Sequence, residues 1–300
     1  MNPPLIATIE AGGTKMIAGL ASGPDDIRLR ERIPTTSPDE TIQALISFFQ
    51  NASAQHGSPD ALSIGSFGPL DLDLNSPTYG FVTSTPKPGW SNTDFLGPLQ
   101  KALFIPAIFE TDVNAALTGE VKWGAAKGFK HAAYLTIGTG IGGSLVIDDQ
   151  LIHGTGHSEM GHMRVNRHPD DHFKGCCPFH DDCLEGLASG TSIKQRWNVG
   201  AEELGPDHPA WGIEADYLAQ ACLNLLMIAP PQRIILGGGV MHHESLHDLV
   251  RLHLQARQNG YLSYPELNED LSEFIVPPKL GDNAGLLGCV ALGQKLLSTL

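Results

Sequence analysis

Residues 5–9 form a short apolar run of β-forming side chains. The segment Glu10-Ala11-Gly12-Gly13-Thr14-Lys15 interrupts it and residues 16–21 resume it, which predicts strand, glycine turn, strand. Apolar residues at helical spacing (Ile42, Leu45, Ile46, Phe49) predict a helix across 41–49, and residues 62–65 return to strand character. Residues 71–92 are rich in Pro, Ser, Thr and Gly and read as a long loop. Residues 107–110 then form a brief strand that delivers Thr111-Asp112 to a small-residue helix running toward Trp123. The second half repeats this grammar. Residues 133–137 lead into Gly138-Thr139-Gly140-Ile141-Gly142-Gly143, and residues 144–147 alternate into Asp148-Asp149. A strand over 233–236 ends in Gly237-Gly238-Gly239, before a helix near 244–255. One glycine hairpin opening each half predicts a duplicated α/β architecture, with a cleft between the copies and a boundary close to Asp112.

Length agrees with two lobes, since 300 residues exceed what one core usually organises. A formal charge of -14 repels phosphate backbones and anionic bilayers, so neither nucleic acid nor a membrane is an expected partner. An anionic ligand must then be held locally, by backbone N–H groups or a bound cation. The first residues show no secretory pattern and no apolar run is long enough to span a bilayer, so the cytoplasm is the expected location. Five cysteines do not suggest an extracellular disulfide framework. Three of them, Cys176, Cys177 and Cys183, and six of the 13 histidines nonetheless crowd into residues 153–183.

Several segments in this frame carry chemistry. Gly12 and Gly13 permit close backbone approach to a ligand, Thr14 offers a hydroxyl and Lys15 a cation; the segment reads either as a phosphate-holding turn or as a plain hairpin. Gly138 to Gly143 matches the spacing G-x-G-x-x-G, but a strand follows where a dinucleotide site needs a helix, so a hairpin fits better. At the strand-to-helix junction Asp112 or Thr111 could simply cap the helix; alternatively Asp112 is the base that accepts a proton from an attacking hydroxyl. His162 with Cys177-Pro178-Phe179-His180-Asp181-Asp182-Cys183 supplies two thiolates and two imidazoles, a charge-balanced tetrahedral set for Zn²⁺, with Cys176 an alternative to Cys177. If one nitrogen of His162 binds zinc, the other carries hydrogen and donates; Glu159 beside it accepts, and the pair suits a polyhydroxylated ligand.

In order and spacing, Glu10-Ala-Gly-Gly-Thr-Lys15, Thr111-Asp-Val-Asn-Ala-Ala116, Gly138-Thr-Gly-Ile-Gly-Gly143, Glu159-Met-Gly-His162, Cys177-Pro-Phe-His-Asp-Asp-Cys183-Leu-Glu185 and Leu236-Gly-Gly-Gly239 resemble the ROK sugar kinases, and within them the bacterial fructokinase branch. The resemblance implies a duplicated actin-like ATPase (ribonuclease H-like) fold. Residues 1–112 would be the N-terminal lobe, completed by a C-terminal helix within 284–300, and residues 113–283 the C-terminal lobe, with a zinc-binding segment at 159–185. It further implies ATP-dependent phosphorylation of fructose at its 6-hydroxyl, with Asp112 as base, Mg²⁺ offsetting phosphate charge, structural Zn²⁺ and a homodimer. Glu159, His162 and Glu185, with Asp112, become the sugar contacts, and His162, Cys177, His180 and Cys183 the zinc ligands. Gly12, Gly13, Thr14 and Lys15 with Thr139, Gly140 and Gly142 would flank the phosphates of ATP, and Gly237, Gly238 and Gly239 the adenosine. Mannokinase, glucokinase and a non-catalytic zinc-stabilised sugar-binding regulator are the alternatives. A DNA-reading regulator is not expected with nine residues ahead of Glu10.

Overall fold

The computed structural model describes residues 3–267 and 270–300. In chain order its regular elements begin with β1 (Ile6–Ala11), β2 (Lys15–Gly23), β3 (Asp26–Pro34), α1 (Pro38–His56), β4 (Ala61–Ser66), β5 (Phe81–Val82), β6 (Thr93–Asp94), α2 (Leu96–Leu103), β7 (Ala107–Thr111) and α3 (Asp112–Trp123). There follow β8 (Ala132–Ile137), β9 (Ile141–Ile147), β10 (Gln150–Leu151), α4 (Leu184–Ala188), α5 (Gly190–Trp197), α6 (Ala210–Ile228), β11 (Arg233–Gly237), α7 (Leu246–Gln258), β12 (Ile275–Val276) and α8 (Ala284–Leu297). They form two units. One takes the described residues up to Lys127, His153–His157 and Lys279–Leu300; the other takes those of Gly128–Ile152 and Ser158–Pro278.

The first unit is built on a sheet of order β3-β2-β1-β4-β7, with β1, β2 and β3 antiparallel and β4 and β7 added parallel to β1. Strand β1 sends alternate side chains to opposite faces. Ala7, Ile9 and Ala11 join Leu45, Phe48 and Phe49 of α1 with Trp90 and Phe95. Ile6 instead meets Leu286, Leu287 and Val290 of α8. Helices α3 and α8 lie backbone against backbone: a Cβ on Gly288 would overlap the Ala115 carbonyl, and one on Gly119 would sit 2.9 Å from the Gly288 nitrogen. Strand β3, at the sheet edge, exposes Arg28, Arg30, Glu31 and Arg32.

The second unit repeats the plan, with order β10-β9-β8-β11-β12, an antiparallel β8, β9 and β10, and β11 and β12 parallel to β8. Helix α6 runs through its core, where Tyr217, Leu218 and Cys222 pack among Leu187, Leu236 and Val250. The Gly-x-Gly-x-x-Gly segment closes the β8–β9 hairpin, with Ile137 opposite Ile141, so no helix follows it. The division differs from a boundary at Asp112. Helix α3 stays with the first unit because it packs on α8, and residues 153–157 also leave the second half for the first unit. Cys222 and Cys289 are fully buried core thiols.

Candidate active site and metal centre

Parallel pairing of β1, β4 and β7 sets Ala11 opposite Ser66 and Ser66 opposite Thr111. The β1–β2 turn, the loop after β4 and Asp112 therefore share the carboxyl edge of one sheet, the edge where open α/β sheets hold ligands. In the turn the Gly12 N–H donates to the Lys15 carbonyl at 2.9 Å, Thr35 Oγ1 donates to the Gly12 carbonyl at 2.8 Å, and Lys87 Nζ donates to the Gly13 carbonyl. Gly12, Gly13, Thr14 and Lys15 are thus held from behind by their carbonyls. At the start of α3, Thr111 Oγ1 accepts from the Asn114 N–H at 3.1 Å and, of the two residues the sequence offered as cap, is the one that takes that role; Asp112, the first helical residue, accepts from the Val113 N–H at 2.8 Å.

Glu10, near the end of β1, stood out in the sequence only as part of a motif. Its Oε2 is buried and has no hydrogen-bond partner among the described residues. Burial first, and the nearby Asp112 charge second, push its carboxyl up to about 7. A buried oxygen without a donor beside a second carboxylate is a donor set that a divalent cation would relieve.

In the second unit the β8–β9 hairpin is gripped on three sides. Glu185 Oε2 accepts from the Ile141 N–H at 2.9 Å, and a Cβ on Gly140 would lie 2.5 Å from that oxygen. The Gly190 N–H donates to the Gly138 carbonyl at 2.7 Å, and Thr191 Oγ1 donates to the Thr139 carbonyl at 2.7 Å. Gly238, at φ 93, stands where any side chain would strike the Ile137 backbone. Because β8 and β11 are neighbours, Thr139, Gly140 and Gly142 come together with Gly237, Gly238 and Gly239. The short turn Met160–His162 lies directly on β9: Gly161 has no room for a Cβ beside the Ile141 carbonyl, and a Cβ on Gly143 would lie 2.5 Å from Met160 Cβ. That contact fixes Glu159 and His162 relative to the hairpin and Glu185.

His162, Cys177, His180 and Cys183 converge, with one potential ligand atom from each lying within 4.8 Å of all the others. His162 Nδ1 is 3.4 Å from Cys183 Sγ and 3.8 Å from Cys177 Sγ, and His180 Nδ1 is 3.7 Å from Cys177 Sγ. Zn–S bonds of about 2.3 Å and Zn–N bonds of about 2.0–2.1 Å give tetrahedron edges of roughly 3.3–3.8 Å, so these four fit zinc. A turn in which the Cys177 and Asp181 backbones pair, with Asp181 at φ 52, folds His180 back toward Cys177. Burial, with the neighbouring Cys177 sulfur adding to it, pushes the Cys183 thiol up to about 11, a cost that a cation at the centre would reverse. Cys176 stands outside the group and its thiol bonds Ser189.

The ROK family profile matches residues 6–295. The chain belongs to the ROK family. This ROK protein is 45% identical over 292 residues to the fructokinase of Lactococcus lactis subsp. cremoris, covering 97% of this chain and 96% of that one. It is 42% identical over 293 residues to the fructokinase of Pediococcus pentosaceus, covering 98% and 99%. Among solved structures, the ROK hexokinase from Thermus thermophilus has a TM-score of 0.80 at 25% identity over 99% of each chain. A ROK glucokinase from Streptomyces griseus in complex with glucose and AMPPNP has a TM-score of 0.76 at 25% identity, over 97% of this chain and 99% of that one. The duplicated sheets of this ROK protein are the actin-like ATPase fold that the sequence resemblance implied.

Proposed function

We propose that this protein is a fructokinase that transfers the γ-phosphoryl group of ATP to the 6-hydroxyl of D-fructose. The observation that carries the reading is full-length identity of 42–45% to several fructokinases. Asp112 accepts the proton of the 6-hydroxyl as it attacks, beside Thr111, which caps the helix. Glu159 accepts from sugar hydroxyls. His162, whose Nδ1 faces the thiols, donates to them from Nε2. Glu185 serves both the sugar and the hairpin whose Ile141 N–H it already receives.

Backbone N–H groups of Gly13 and Thr14 with the Lys15 side chain, beside Gly12, and Thr139, Gly140 and Gly142, flank the phosphates; Gly237, Gly238 and Gly239 approach the adenosine. Mg²⁺, when bound, offsets charge on the β- and γ-phosphates, and Glu10 is the residue of this chain suited to hold it or its water. Zn²⁺ in the two-Cys, two-His set is structural, since all four positions of a tetrahedron are filled by side chains. A cytoplasmic homodimer completes the proposal; among the described residues no helix is long and apolar enough to cross a membrane.

A panel of fructose, mannose, glucose and N-acetylated hexoses with ATP tests the assignment. Fructose should show the highest kcat/KM and give the 6-phosphate by phosphorus NMR. Preference for mannose or glucose would move the protein to another branch, and no turnover with any hexose would leave a sugar binder.

A further inference from the structure

Residues 153–157 form a strap that belongs to the first unit although the chain on both sides belongs to the second. Two histidines fasten it. His157 Nε2 accepts the Leu70 N–H at 2.9 Å, and its ring fills the space where a Cβ on Gly68 would come within 3.2 Å of Cε1. His153 Nε2 lies 2.7 Å from Glu110 Oε2. Between them the Gly154 N–H bonds the Gly156 carbonyl at 3.0 Å and closes the strap on itself.

Glu110 precedes the α3 junction, and its side chain is only 7% exposed. Its other oxygen, Oε1, accepts from the Thr111 N–H at 2.9 Å and from Asn114 Nδ2 at 2.8 Å. One carboxylate therefore clamps the residues on either side of Asp112 and is itself oriented by an imidazole from far along the sequence. If the imidazole is removed, Oε2 loses its donor. A buried carboxylate in that state turns toward other donors or admits water, and Thr111 and Asn114 lose their common anchor.

We propose that His153 and Glu110 are a positioning pair for phosphoryl transfer: the imidazole fixes the carboxylate, the carboxylate fixes the first turn of α3, and that turn aims Asp112. The inference rests on Asp112 being the base. Neither partner touches the reacting atoms. Displacing a catalytic group by about 1 Å can cost on the order of 100-fold in rate, so the effect belongs in kcat.

The test compares His153→Ala with His153→Gln, whose amide nitrogen stands near the position of Nε2 and keeps a donor there. His153→Ala should lower kcat roughly 10- to 100-fold with KM for fructose and ATP little changed, and His153→Gln should recover most of the loss. Amide exchange on the ligand-free protein gives a readout independent of catalysis: the Thr111 N–H should exchange faster in the alanine variant and normally in the glutamine variant. If wild-type protein fails to phosphorylate fructose, the fructokinase reading falls while the exchange data still judge the clamp. Wild-type kcat in His153→Ala, equal losses in both variants, or a lower melting temperature with unchanged kcat would each overturn the pairing. Should the alanine variant not accumulate folded, Glu110→Gln, which keeps shape and loses charge, must show the same split between kcat and KM.

Discussion

The two five-stranded sheets share a strand order and a pattern of parallel and antiparallel pairing, yet they finish their carboxyl edges with opposite chemistry. The first ends in carboxylates: Glu10 near the end of β1, Glu110 and Asp112 at the β7–α3 junction. The second ends in glycines and hydroxyls around the β8–β9 hairpin, followed in the chain by a segment in which two cysteines and two histidines converge. The frame is the same and its uses differ. In the first unit, buried side-chain hydrogen bonds fix the charged groups; in the second, glycines let backbones approach so closely that no side chain fits between them.

Loss of zinc should separate the two units most sharply. Structural zinc sites contribute about 10–16 kcal/mol of apparent binding free energy, as much as or more than the roughly 5–15 kcal/mol by which most domains are stable. Chelation should strip amide protection from residues 159–185 and abolish sugar binding while β1 and β4 stay protected. Freshly purified protein free of zinc by metal analysis would break the distinction. Asp112→Asn comes next: kcat should drop about 10²- to 10⁴-fold with fructose affinity little changed, and near-normal turnover would remove Asp112 from its role.

Glu10 gives the smallest and most specific effect. Its carboxyl is held at about 7 against an ordinary 4.5, so the folded protein keeps a proton that the unfolded chain has lost between those values. Stability of metal-free protein should thus fall as pH rises from about 4.5 through 7, by about 3 kcal/mol in total, and Glu10→Gln should lack that part of the slope. Denaturant midpoints at several pH values compare the two. Identical slopes would mean that the carboxyl is not destabilised by its surroundings.

Much of this was legible in the sequence where one local signal sufficed. Each glycine turn lies between apolar runs that became β1 and β2, or β8 and β9, and the Cys-x-x-His-x-x-Cys spacing anticipated a cluster that a single tight turn assembles. Elements whose signal is not periodic were missed. Helix α6 is buried nearly all round, so its apolar residues mark no one face, and β3 is an edge strand whose Arg28, Arg30 and Arg32 read as solvated chain. The 153–157 strap was invisible for another reason: its two fastenings, Glu110 and Leu70, lie far away in sequence. The histidines were conspicuous there as a cluster of metal-ligating type, but His153 and His157 fall outside the group in which His162, Cys177, His180 and Cys183 converge.

Helix α3 rests on α8 with no side chains between their closest turns, and the whole second unit is threaded between them in the chain. On a ribosome the first unit is therefore unfinished until α8 has been made, because part of the surface that supports α3 lies beyond the second unit in the chain. The nascent chain must wait with its α3 face uncovered while the second unit folds, and α3 gains its support only once α8 leaves the exit tunnel.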